Sequence, residues 1–239
     1  MKNKILIGCS SFYNSFWKGV FYPENLPSKQ WFDYYCQHFD TYEFNGSFYK
    51  FPTIRIFQNW YNKTPKDFIF SIKVPKEITH LKKLNDCENR LQEFYEVCQL
   101  GLKEKLGPIL LQLPPSYVFT KEKLETILQI LNYDFQNVVE FRHESWWNDE
   151  VWNAFKEKGI TFCSVSHPNL PQTIFKDFPL VYIRFHGIPK MFYSSYSKEE
   201  LLSVSSQIKS KQGFVYFNNT ASEAGILNAL ELQKISGKQ

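Results

Sequence analysis

The sequence has no CxxC pair, and its cysteines are odd in number, at positions 9, 36, 87, 98 and 163. That argues against a disulfide framework or a structural zinc site, and it points to a reducing, cytoplasmic compartment. No run approaches the roughly 20 apolar residues of a membrane span, so no membrane role is expected. The opening Met1–Cys9 leads from lysines into Leu6-Ile7-Gly8-Cys9, the outline of a lipoprotein leader. Its apolar core is only three residues, against roughly 7–15 in a leader, so it reads as a first β-strand. There is no HExxH, GxSxG, Walker or GxGxxG pattern, which leaves several common enzyme classes without support. No proline- or glycine-rich linker interrupts the chain, so one domain spanning 1–239 is expected.

A strong excess of charge is also missing. The net charge is +4 and the pI about 8.6, milder than the basic stripe of a dedicated nucleic-acid binder. Lys103-Glu104-Lys105 and Lys121-Glu122-Lys123 alternate in sign and read as solvated helix faces. What is abundant is aromatic: 23 Phe, 14 Tyr and 6 Trp, enough for a core and for a surface that stacks on sugars or bases.

Short apolar runs alternate with amphipathic segments throughout. Strands are expected at Ile5–Gly8, Thr41–Asn45, Phe68–Lys73, Ile109–Leu113, Val138–Phe141, Thr161–Val165, Val181–Phe185 and Phe214–Phe217. Helical periodicity follows Ser28 and Thr53, and recurs through Leu91–Leu102 and Leu124–Leu131. Asn148 caps Val151–Lys158, Gly159 ends it, Ser197 and Glu200 form a capping box, and a last helix spans Ser222–Ile235. The sixth helix is the weakest, since Pro168, Pro171 and Pro179 interrupt it. Eight strands alternating with helices predict an α/β chain of the (β/α)8 TIM-barrel class.

Side chains alternate faces along a strand, so parity assigns neighbours. Thr41, Glu43 and Asn45 share a face, as do Ser71 and Lys73, Glu140 and Arg142, and Arg184 and His186, while Asn218 opposes Phe217. The apolar faces are expected on the helices and the polar ones inward, at the carboxyl strand ends where barrels build sites. A buried ion pair, Glu140 with Arg142 or Arg184, is the structural alternative.

Several ordered stretches carry a family likeness: Ile7-Gly-Cys-Ser-Ser11, Phe16-Trp-Lys-Gly-Val-Phe-Tyr-Pro23, Glu43-Phe-Asn-Gly-Ser-Phe-Tyr49 and Lys73-Val-Pro-Lys-Glu-Ile-Thr-His80. Leu106–Pro115, Val139-Glu-Phe-Arg-His143 with Ser145-Trp146, Arg184-Phe-His-Gly187 and Tyr216-Phe-Asn-Asn219 complete the set. Over nearly its full length the chain resembles the YecE-like barrel family, domain of unknown function 72. The resemblance implies a TIM barrel and brings no reaction with it. The chain departs from the family pattern at Ser11, at Ser166 in place of an Asp, and at Thr220, Ser222 and Glu223 in place of an Asp and two glycines.

Lys73, His80, Arg142, Arg184 and His186 bring positive charge to the expected site, against Glu43 and Glu140. Arg forks suit phosphate or carboxylate, so a small anionic ligand is expected. Glu43 and Glu140 are the general-base candidates, with His186, or His80, as the acid. Asn45, Gln112, Asn218 and Asn219 are expected to contact the ligand, and Trp17, Tyr49 and Trp146 to stack on it. Two carboxylates also admit a glycosidase. No cofactor is expected, although Glu43, Glu140 and His186 are the right types for one divalent ion. A hydrolase or isomerase is the first reading. A nucleic-acid-binding or repair-type protein and a non-catalytic binding module are the alternatives.

Overall fold

A computed structural model of the protein describes residues 4–208 and 211–237. Its strands are β1 (Ile5–Cys9), β2 (Thr41–Phe44), β3 (Ile69–Lys73), β4 (Leu106–Gln112), β5 (Asn137–Glu140), β6 (Thr161–Phe162), β7 (Ser164–Ser166), β8 (Val181–Phe185) and β9 (Gly213–Phe217). Between them lie α1 (Trp31–His38), α2 (Gly46–Tyr49), α3 (Ile54–Lys63), α4 (Glu88–Leu102), α5 (Lys121–Ile130), α6 (Asp149–Lys158), α7 (Lys198–Ile208) and α8 (Ala224–Ile235).

The helix ends follow local chemistry. Thr53 Oγ1 accepts from Ile56 N at 3.3 Å, Thr120 Oγ1 from Lys123 N at 3.3 Å and Asn148 Oδ1 from Val151 N at 3.0 Å, each satisfying a donor that the first helical turn leaves open. Gly159 closes α6 at φ 69°, a backbone that glycine adopts without a Cβ penalty. Ser197 and Glu200 exchange hydrogen bonds of 2.7 and 3.2 Å to open α7, the expected capping box.

The strand order is β2-β3-β4-β5-β6 in one sheet and β7-β8-β9-β1 in the other. The pairings β1·β9, β3·β4, β4·β5, β5·β6, β7·β8 and β8·β9 are parallel. Sequential parallel strands alternating with helices are the α/β, (β/α)8 TIM-type class. Two details differ from expectation. The sixth strand divides at Cys163 into β6 and β7, and the segment between β7 and β8, with its three prolines, forms no helix. By packing, Met1–Glu43 with Ser164–Gln239 forms one compact unit and Phe44–Cys163 another.

Within Phe44–Cys163, the odd face of β5 and its continuation pack outward as parity requires. Phe141 stacks on Trp146 at 4.0 Å and contacts Phe155 of α6 at 6.0 Å. Lys105 corrects the sequence reading: it is 4% exposed, not on a solvated face. Its Nζ donates to Tyr61 O (2.7 Å), Thr64 O (2.8 Å) and Thr64 Oγ1 (3.1 Å), supplying donors to the open carbonyls at the end of α3.

Gly101 sits where α4 crosses α3, and a Cβ there would stand 2.4 Å from Phe57 Cβ. Gly101→Ala is therefore expected to lower the free energy of unfolding by roughly 1–3 kcal/mol through overpacking, despite alanine's better helix propensity. Urea denaturation reads this directly; a gain in stability would mean the helices part at no cost. None of the five cysteines is joined in a disulfide. Among the described residues, no helix is long and apolar enough to cross a membrane.

Candidate functional site

In the Phe44–Cys163 unit, β3, β4 and β5 end on Lys73, Gln112 and Glu140, and Gln112 pairs in register with Glu140. Lys73 Nζ donates to Gln112 Oε1 at 2.9 Å and lies 4.0 Å from the centre of the Phe48 ring. Arg142 Nε donates to Glu140 Oε1. Glu140 is fully buried, and Gln112 and Lys73 nearly so. His80 stands in a five-residue π-helical turn, Glu77–Leu81, just beyond β3. Its ring meets Phe48 edge to face at 4.9 Å.

These contacts determine the state of His80. Because Gln112 Oε1 accepts from Lys73, the amide nitrogen of Gln112 is the atom facing His80 Nε2, at 3.4 Å. Nε2 must then offer a lone pair. On the other side, Thr79 Oγ1 donates to Pro75 O at 3.2 Å, so it accepts from His80 Nδ1 at 2.9 Å. The imidazole is thus neutral and protonated on Nδ1. Electrostatics agree: burial first, then the positive charges of Lys73 and Arg142, push His80 from 6.5 down to about 4, with Glu140 opposing.

The other unit holds a second polar cluster. Glu43 on β2 accepts from Arg184 Nη2 (2.7 Å) and Nε (3.1 and 3.0 Å) and from the Tyr182 hydroxyl (2.7 Å). The Glu43 and Arg184 side chains are 0% and 1% exposed. This is a desolvated fork-to-carboxylate pair. Nearby in the chain order of strand ends, Ser10 Oγ donates to Asn218 Oδ1 at 2.5 Å, and Asn218 Nδ2 donates to His186 Nδ1 at 2.8 Å. Asn219 Nδ2 donates to Ser194 O at 2.9 Å, while its buried Oδ1 has no hydrogen-bond partner among the described residues.

Of the expected site residues, Lys73, His80, Gln112, Glu140 and Arg142 converge in the first cluster. Glu43 joins Arg184, and His186 joins Asn218, in the second. Asn45 falls just past β2, at the head of α2. Tyr49 is 73% exposed and open to a ligand. Trp17 and Trp146 are fully buried and have no surface on which a ligand can stack. Trp17 Nε1 donates to Ser222 O at 2.9 Å, and Trp146 Nε1 to Tyr117 O at 2.6 Å, so both rings are core that happens to lie in loops. Sequence reading missed Tyr182, although its parity with Arg184 and His186 placed it on their face. It also missed Thr79, whose role depends on a turn type that no motif announces. Among the described residues, no group of three or more His, Cys, Asp or Glu is placed to hold a metal ion.

The sequence matches the model of the family described as "Protein of unknown function DUF72" over residues 6–239. The chain belongs to the DUF72 family. It is 30% identical over 112 residues to the UPF0759 protein YecE of Escherichia coli strain K12, and equally to that of strain O157:H7, covering 46% of this chain. The match spans only 40% of those relatives' length. The solved structure of a DUF72 family protein from Thermotoga maritima MSB8 is 30% identical, with a TM-score of 0.84 over 97% of this chain and 98% of that one. A DUF72 family protein from Enterococcus faecalis V583, 21% identical, shares the fold at a TM-score of 0.82 over 98% and 96% of the two chains. The stretches that carried the DUF72 resemblance in the sequence hold nearly all residues of the two clusters.

Proposed function

We propose that this protein is an enzyme, of hydrolase or isomerase type, that takes a small phosphate- or carboxylate-bearing substrate at the Lys73–His80–Arg142 cluster. One observation carries the reading: Lys73 and Arg142 both stand close enough to the partly buried His80 imidazole that, after burial itself, their charges are what lower its pKa to about 4. The part of that shift owed to the two cations is a local positive potential, which an anion would relieve. Lys73 supplies a point charge and Arg142 a planar fork for the anionic group, and the Arg142 side chain reaches solvent at 13% exposure. Gln112 and neutral His80 orient the polar body. Glu140, tied to Arg142 at the same cluster, serves as the base in this reading. In this reading Glu43 holds Arg184 in place and is not the base, since three donor groups already converge on it.

Inorganic phosphate is the simplest probe. At about 100 times its Kd it should stabilise the fold by roughly 2.7 kcal/mol, or about 2–4 °C in Tm per kcal/mol for a domain of this size. The bound anion should also raise the His80 pKa above about 4, read from imidazole chemical shifts against pH. A flat melting temperature together with an unmoved His80 titration would remove the anionic-substrate reading.

A further inference from the structure

Three loops of the Met1–Glu43 and Ser164–Gln239 unit, following β1, β8 and β9, are laced together above their strand ends. Asn14 Nδ2 donates to Thr220 O, and Trp17 Nε1 donates to Ser222 O at 2.9 Å. Ser222 Oγ donates to Tyr193 O at 3.3 Å, and Ala221 N to Phe192 O at 3.1 Å. On this joined surface four large rings face water: Tyr13 (65% exposed), Phe16 (67%), Phe192 (38%) and Tyr193 (51%). Single exposed apolar residues are ordinary, but four on one bonded loop cluster are not. Loops held on a rigid scaffold at this end of the strands are where barrels place recognition.

The rings are also held up by structure beneath them. Tyr13 leans on Trp31 at 5.0 Å, and Trp31 stacks on Tyr22 at 4.9 Å. Phe192 has φ 71°, a backbone region that bulky residues seldom occupy. Its N–H donates to His186 O at 2.6 Å while its carbonyl takes Ala221 N, so the fold maintains a strained backbone in order to present this ring.

The charge on the same surface narrows the partner. Residues 10–27, 186–197 and 218–223 carry Lys18 and Lys190 against Glu24 and Glu223, which cancel. Lys190 Nζ lies 4.4 Å from the Tyr193 ring centre. A nucleic acid is bound largely through neutralised phosphates and needs a net cationic surface. A rim of zero net charge, with Ser and Tyr hydroxyls and Asn amides around aromatic faces, suits a ligand with apolar C–H faces and many hydroxyls. We propose that these three loops form a platform for a neutral carbohydrate chain, whose sugar rings lie on Phe16, Phe192 and Tyr193. The inference is independent of the anion reading and uses none of its residues.

The test is calorimetric titration of the full chain with cello-, malto- and chito-oligosaccharides, beside oligo(dT) as the polyanionic control. At least one sugar series should bind saturably, and Phe16→Ala and Phe192→Gly should each weaken it about tenfold or more. Phe192→Gly is the key variant, because glycine relieves the left-handed backbone as the ring is removed, so lost binding there is not lost folding. Three outcomes would each overturn the proposal: no sugar binds, both variants bind as the parent does, or oligo(dT) binds more tightly with a steep salt dependence. A concentration-dependent dimer that Phe16→Ala dissolves would also overturn it, assigning the platform to a second copy of the chain.

Discussion

Arg184→Met should cost about 3–5 kcal/mol of folding free energy, the penalty for stripping the cation from a buried ion pair. Glu43 is fully buried and receives two nitrogens of the Arg184 guanidinium within 2.7–3.1 Å. Methionine leaves that carboxylate in the interior without its fork, and a desolvated charge lacking its counter-ion is expensive. The companion experiment separates pair energy from pair removal. Glu43→Leu combined with Arg184→Met replaces both charges by apolar groups, which is often neutral or stabilising, so the double variant should recover most of the loss. Urea midpoints at unchanged m-value report both. A single-variant loss below about 1 kcal/mol, the range of exposed pairs, would show that water reaches the pair.

Lys73→Met should weaken the response to phosphate while leaving the chain folded, since the methionine stem can still lie over Phe48. Charge-assisted hydrogen bonds are worth roughly 1.5–3 kcal/mol, so affinity should fall roughly ten- to hundredfold. The same change removes one of the two cations depressing His80, so its pKa should climb from about 4 towards 6.5 even without ligand. Stability responds to pH with a definite sign. Between pH 6.5 and about 4 the unfolded chain's imidazole carries a proton that the folded one refuses. The His80 contribution is therefore full above 6.5 and is lost as pH falls through that window. In Lys73→Met the window narrows from its lower edge, which denaturation at several pH values would reveal. A variant that still binds phosphate with parental affinity, or whose His80 titrates where it did before, would show that Lys73 does not set the potential of this cluster.

The chain alone determined a good deal. Face assignment comes from covalent geometry, because successive Cβ atoms on a strand alternate whatever the surroundings. Glu140 and Arg142, and likewise Arg184 and His186, could therefore be placed on one face from spacing alone, and Arg142 does reach Glu140. Helix ends were legible for the same reason: Thr53, Asn148, Gly159 and the Ser197–Glu200 box act within one turn of themselves. The prolines between 168 and 179 marked the sixth helix as the weakest through the donor they lack, and the segment forms no helix at all.

Partner choice was decided elsewhere. Glu43 and Arg184 lie 141 residues apart, and no local rule chooses that cation for that carboxylate. Lys105 reads as solvated beside Lys103 and Glu104, yet the end of α3 draws it inside. Trp17 and Trp146 share loop positions with Tyr13 and Phe16, but packing buries the first two and exposes the others. The neutrality of His80 needs Lys73, Gln112 and Thr79 at once. Periodicity and capping are short-range properties that the chain writes down directly, whereas burial, charge pairing and protonation depend on which distant segments exclude water from a side chain. Those exist only once the sheets have assembled.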